Sequence, residues 1–369
     1  MALAKKALWF LIAGLGAGAL GYIATARGEP INAVWLVVAS ICIYAVGYRF
    51  YSRFISVRVL ELDDTRATPA ERLEDGRDFV PTNKWVLFGH HFAAIAGPGP
   101  LVGPILAAQF GYLPGILWIV IGGVLGGAVQ DFVVLFCSVR RDGKSLGQMA
   151  KEEVSSLAGF TALISVLSII TIIIAVVGLV VVNALKGSPW GFFTIAMTIP
   201  IAFVMGLYMR YLRPGRILEA SLLGFFLVVA GVIGGRYVGE SAAIAPHFTY
   251  GPYTLAWMLV VYAFAASALP VWLLLAPRDA LSTFVKLGTI LALAVGIIAV
   301  RPLMLMPPLT RFTDGTGPVF AGKIFPFCFI TIACGALSGF HALISSGTTP
   351  KMLSKESLAR MVGYGSMLM

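Results

Sequence analysis

Charge is what this 369-residue sequence has least of. Asp, Glu, Lys and Arg make up 12% of it, about half of the roughly 25% usual in a soluble domain. Cysteine is scarce too. Cys42, Cys137, Cys328 and Cys334 each lie inside an apolar run, with no CxxC spacing, which argues against a disulfide framework or zinc site and for free buried thiols. No stretch reads as a soluble catalytic domain, so no enzyme is expected. A net charge of +10 would suit nucleic acid only if the basic residues formed a patch. Instead they punctuate the ends of apolar runs, the membrane pattern.

What is present is apolar: 59% of the residues are hydrophobic, too many for one soluble core to hide. A bilayer core about 30 Å thick needs roughly 20 apolar residues per helical pass, and such runs recur. They predict an all-α, polytopic transmembrane bundle of about ten helices: 7–26, 31–51, 85–110, 114–139, 154–185, 190–212, 217–235, 254–276, 281–300 and 324–346. The chain reads as a single transmembrane domain, with 52–84 as a polar cytoplasmic loop. Lys5-Lys6, an apolar stretch and Ala24-Thr25-Ala26 resemble a signal peptide. The stretch exceeds the roughly 7–15 residues of a signal core, which predicts an uncleaved helix. After Arg360 the sequence turns apolar as far as Met369, where another helix would begin, and further helices are expected beyond, the bland alternative being a short interfacial tail.

Counting Lys and Arg on alternate connections gives the orientation. With the N-terminus cytoplasmic, 21 of the 27 fall inside. Only Arg27, Lys186, Arg236, Arg301, Arg311 and Lys323 fall outside.

The strongest local signal is Gly97-Pro98-Gly99-Pro100 inside the third run. Two prolines and two glycines remove hydrogen bonds and loosen the backbone. Bare backbone is tolerated at membrane depth only beside protein or a wet cavity. Transporters use such breaks to aim a half-helix N-terminus at an anionic substrate group. Gly97, Pro98, Gly99, Pro100 and Gly103 are therefore the candidate substrate-binding residues, the bland alternative being a packed kink.

Intramembrane titratable residues come next, since each is costly to bury. Asp131 lies about 12 Å from the cytoplasmic end of the fourth run, and His90, His91 and His341 lie about 8 Å in on the third and tenth, at 1.5 Å per residue. Histidine titrates near neutral pH and a paired carboxylate can be tuned toward it. These four are the candidates for proton or ion coupling, although a lone histidine more often merely packs. Gln130 points about 100° away from Asp131, and Glu219 and Lys286 sit near helix ends, where snorkelling explains them.

Gly335-Ala336-Leu337-Ser338-Gly339-Phe340-His341 invites a serine-hydrolase reading, which fails because the Gly-x-Ser-x-Gly elbow is absent. Its small residues suit close helix packing instead. Ser338, Ser345, Thr348 and Thr349 offer hydroxyls for an ion or a gate near the cytoplasmic mouth, or simply a helix cap. No metal site or cofactor is expected.

Four blocks carry a family resemblance. They are Phe88-Gly89-His90-His91-Phe92-Ala93-Ala94-Ile95-Ala96-Gly97 with Gly99-Pro100-Leu101-Val102-Gly103-Pro104; Gln130-Asp131-Phe132 with Arg140-Arg141-Asp142-Gly143-Lys144-Ser145-Leu146; Leu269-Pro270-Val271-Trp272-Leu273-Leu274-Leu275 with Pro277-Arg278-Asp279; and Ser338 through Lys351. Together they resemble the carbon starvation protein CstA family. The resemblance implies a bacterial inner-membrane transporter importing short peptides or pyruvate with protons. It also implies distant kinship with the amino acid–polyamine–organocation superfamily and its inverted repeats. Members similar to this chain run longer, and commonly carry an aromatic residue where this one has Ala280.

The expected function is secondary active symport of a small carboxylate-bearing nutrient, with membrane lipids as the other partner and no nucleic acid. The oligomeric state is not legible in the sequence. Two rivals from other classes are a haem-binding redox protein using His91 and His341 as ligands, and a passive channel.

Overall fold

The structure, a computed structural model, describes residues 18–19, 31–213, 216–269 and 273–369. Most of the expected first helix, 7–26, and the question of its cleavage lie outside the described residues.

With no water to bond backbone groups in a bilayer, an apolar run must satisfy its N–H and C=O groups internally, as a helix does. The observed elements are α1 (Ala33–Val59), α2 (Lys84–Ile95), α3 (Pro98–Phe110), α4 (Tyr112–Val139), α6 (Ser156–Leu185), α7 (Pro189–Leu212), α8 (Ile217–Glu240), α9 (Pro252–Ala268), α10 (Leu275–Val300), α11 (Ile324–Ala336) and α12 (Gly339–Ser346), with the short α5 (Leu146–Glu153) before α6. Among the described residues no β-strand forms, only the isolated bridges Asn32–Leu303 and Thr82–Leu353. Seven of the described helices are long and apolar enough to cross a membrane, or eight if the bent pair α2–α3 is one span. This is a multi-pass membrane protein.

Several boundaries differ from expectation, among them the end of the eighth run at Ala268 rather than 276, and three have a clear physical reason. Helical backbone runs past residue 52 to Val59 because Ile55 and Ser56 are buried, so the polar loop starts near residue 60. The ninth run begins at Leu275 rather than 281. Pro277 fits there because a first-turn residue needs no N–H partner, which puts Arg278 and Asp279 on the helix. The tenth run is not continuous: Leu337 (φ −159°, ψ 100°) and Ser338 (φ −110°, ψ 130°) are extended and divide α11 from α12. Ser338 therefore does not share a helical face with His341, as a continuous helix would require.

The centre of the bundle is α2–α3, α4, α11–α12 and a closing wide turn at Arg360–Gly365. Its core includes Leu87, Ala128, Phe132, Leu135, Leu353, Val362 and Tyr364. Tyr364 donates its hydroxyl to the Val124 carbonyl at 2.9 Å. α10 packs on α2, α7 pairs with α8, and α6 contacts α9 at the edge. α6 has a mean hydropathy of 3.0 in a window with none of its residues buried, as a helix facing lipid tails should.

Candidate functional site

Two broken helices define the site. The first break is at Ala96 and Gly97, where α2 and α3 meet with a 45° bend. The second is at Leu337 and Ser338. The glycines of α3 bring the two together. A Cβ on Gly103 would stand 2.3 Å from the Thr331 carbonyl oxygen, and one on Gly99 would stand 2.6 Å from Cys334 Sγ. Going up α3 from 99 to 103 means going down α11 from 334 to 331, so the two segments run antiparallel. Gly335 faces Pro100, its Cβ position 3.5 Å from that carbonyl, which sets the breaks abreast.

The proposed substrate residues therefore divide. Gly99 and Gly103 are pressed against α11 and serve close packing. Gly97 is different: among the described residues, no atom lies within 4 Å of where its Cβ would be, and the same holds for Gly339 at the start of α12. Open space thus meets the N-terminus of the second half-helix at both breaks. In the first turn of α3, Pro98 and Pro100 have no N–H, leaving Gly99 and Leu101 as donors.

The four titratable candidates also divide. Asp131 on α4 and His341 on α12 are buried, with Asp131 Oδ2 3.3 Å from His341 Nδ1. The contact has ion-pair distance but no hydrogen-bond alignment; Asp131 has no other hydrogen-bond partner among the described residues, and Cys334 is the other group beside His341. Wide π-type turns at Trp118–Gly127 precede Asp131, and Gly127 lets α4 approach the Ala336 carbonyl, 2.2 Å from its would-be Cβ. That approach brings Asp131 up to the second break.

The other two histidines point elsewhere. His91 Nδ1 lies 2.8 Å from Thr349 Oγ1, and His90 Nδ1 lies 3.0 Å from Asp279 Oδ2. Both His91 and His341 are held through Nδ1, and their Nε2 atoms have no hydrogen-bond partner among the described residues. Among the described residues no three His, Cys, Asp or Glu side chains gather as a metal site. Of the hydroxyl candidates, Ser338 sits at the break with its Oγ 3.6 Å from Cys334 Sγ. Ser345 is buried without a partner among the described residues. Thr349 holds His91, and Thr348 is exposed.

Two residues set aside in the sequence occupy the site. Gln130 Nε2 donates to the Ser338 carbonyl at 2.6 Å. Lys286 Nζ donates to the Ala93 carbonyl at 2.8 Å. At the first break the donor meets a carbonyl that the break has freed, and at the second it adds to the N-cap carbonyl of α12. A sequence signal existed for Lys286: Asp279, Thr283 and Lys286 follow the i, i+4, i+7 spacing of one helical face. All three reach α2, with Thr283 Oγ1 donating to the Gly89 carbonyl at 2.7 Å.

Comparison with known proteins gives the family. A family model described as carbon starvation protein CstA matches residues 32–369. The chain belongs to the CstA family. It is 63% identical over 361 residues to the peptide transporter CstA of Helicobacter pylori strain J99, covering 98% of this chain and 52% of that protein. It is 61% identical over 365 residues to the peptide transporter CstA of Escherichia coli K12, covering 99% and 52%. It is 55% identical over 365 residues to the pyruvate/proton symporter BtsT of the same strain, covering 99% and 51%. The chain thus spans about half the length of the curated CstA relatives it matches. No solved structure matches it.

Proposed function

We propose that this chain forms the substrate- and proton-handling part of a secondary transporter that imports short peptides or pyruvate across the bacterial inner membrane, driven by protons. The N-terminus would lie in the cytoplasm, as the distribution of Lys and Arg favours. The observation that carries the reading is the pair of breaks abreast in antiparallel helices, with the buried Asp131–His341 pair beside the second. Discontinuous helices at a repeat interface are where secondary transporters bind substrate and coupling ion. The names of the relatives, a peptide transporter and a pyruvate/proton symporter, support the substrate class and the coupling.

In this reading the substrate carboxylate enters the space at Gly97, where the Gly99 and Leu101 N–H groups and the half-helix dipole favour an anion. Asp131 and His341 share the proton. A carboxylate and an imidazole in contact can hold a proton between them at small cost, whereas either charge buried alone is expensive. Asp131 is on α4 and His341 on the half-helix α12, so protonation alters the contact that ties the second break to the bundle. This couples occupancy by a proton to the position of α12.

The test is uptake of labelled pyruvate and of a labelled dipeptide into vesicles carrying the full-length protein. Uptake should follow an imposed proton gradient and stop when an ionophore discharges it. Uptake unaffected by the gradient would favour a passive pore.

A further inference from the structure

Lys286 is the cation that the coupling pair does not use. It lies on α10, half-buried, two turns beyond Asp279. A lysine at membrane depth is costly unless it reaches the interface or a polar partner, and here the partner is a backbone carbonyl. In an unbroken helix the Ala93 carbonyl would accept from residue 97, four residues on. The break diverts the Gly97 N–H to Ile95, at 2.9 Å, and the freed Ala93 oxygen takes the Lys286 ammonium instead. A helical carbonyl points toward the C-terminal end of its helix, here the break itself. The ammonium therefore sits at the end of α2 that faces the break, on a carbonyl four residues before Gly97.

Its position is fixed by its own helix face. Asp279 is engaged by His90, and Thr283 bonds the Gly89 carbonyl while Gly89, lacking a side chain, lets it approach. An ammonium has three N–H donors, and one is spent on Ala93. Among the described residues no carboxylate lies within ion-pair distance of Lys286, Asp279 acting on it only from farther along the same face, so it brings to the break a positive charge with donors to spare.

Resting on the transport reading above, we propose that Lys286 is the counter-ion of the substrate carboxylate, and that it sets the preference of this site for acids over their neutral amides. The carboxylate would accept from Lys286 on one side and from the first turn of α3 on the other. A charge-assisted hydrogen bond of this kind is about twice as strong as a neutral one.

The experiment is equilibrium binding to the full-length protein in nanodiscs, using pyruvate, pyruvamide, dialanine and dialanine amide as probes. Wild-type protein should bind at least one of the acids, and bind it at least tenfold more tightly than its amide. Lys286→Gln keeps an N–H donor for the Ala93 carbonyl but removes the charge. It should weaken acid binding at least tenfold, leave amide binding within threefold and so erase the preference. A Lys286→Gln protein with full affinity and full preference would make Lys286 a helix cap only. Should that variant not fold, the wild type still decides: equal affinity for acid and amide overturns the assignment. Wild-type protein that binds neither acid overturns the transport reading, and this assignment with it.

Discussion

Gln130 Nε2 donates to the carbonyl of Ser338 at 2.6 Å, so the side chain next to the buried carboxylate of α4 closes the backbone break between α11 and α12. The carbonyl faces Gln130 because Ser338 is extended. Gln130→Leu should remove the side-chain donor to that oxygen, leaving it the helix's own first N–H, at little change in volume. Intramembrane hydrogen bonds are worth about 0.6 to 1.7 kcal/mol in measured cases, and a loss of that order should lower the thermal midpoint in detergent. An unchanged midpoint would mean that the second break holds without this tie.

The glycines at the first break should separate packing from binding. Gly103→Ala puts a methyl against the Thr331 carbonyl and should destabilise by about 1–3 kcal/mol, as overpacking does. Gly97→Ala meets nothing within 4 Å and its extended backbone (φ −84°, ψ −171°) accepts any residue. It should leave stability unchanged yet weaken substrate binding severalfold. Leu at position 99 is a poor probe of the same idea, because it would strike Cys334. Equal affinity in Gly97→Ala and wild type would show that the open space holds no substrate.

Asp131→Asn keeps shape but removes the titratable carboxylate. With His341 3.3 Å away, the coupling role predicts loss of gradient-driven uptake with substrate exchange retained. A purely structural Asp131 would instead lose folding, binding and uptake together. Counterflow of labelled substrate, measured beside uptake, distinguishes the two.

A separate network ties three segments at one end of the bundle. Glu356, with 2% of its side chain exposed, accepts from Arg140 by two hydrogen bonds and from the Asp63 N–H at 2.7 Å. Glu356→Ala should strand Arg140 and free the loop after α1. Breaking a buried pair costs about 3–5 kcal/mol, and Arg140 keeps 23% exposure, so a loss of about 1–3 kcal/mol is expected. Protease cleavage within 60–83 should accelerate in the variant. Resistance equal to the wild type would remove Glu356 as the anchor.

Orientation is tested by single cysteines. At positions within 60–83 they should resist an impermeant thiol reagent in intact cells, while those within 302–322 should react. Labelling in the opposite sense would invert the topology.

The class and much of the architecture follow from the chain alone. A bilayer offers no alternative to helix for an apolar run, so the class and the approximate limits of the passes are written in hydropathy. The Gly-Pro-Gly-Pro break is equally local, since proline removes a donor wherever it sits. The second break carries no proline. Leu337 and Ser338 could have stayed helical, and the start of α12 that follows them is tied to Gln130 from another helix. Lys286 looked like a snorkelling side chain because its depth was visible and its partner was not.

The histidines show the same division. Their depths are readable at 1.5 Å per residue, and on depth alone His90, His91 and His341 are equal candidates for Asp131. Only the rotation of each helix about its axis, and the glycines that let α3 and α4 press against α11, decide which ring faces the carboxylate. Those contacts join residues far apart in the chain. The sequence by itself determined a many-pass bundle with one broken helix and a few buried charges. The tertiary structure decided that His341 meets Asp131, that His90 and His91 do not, and that Lys286 closes the first break. The physical reason is that hydropathy and helix breaks are properties of a segment and the solvent around it, whereas a partner for a buried charge is a property of the packing between segments.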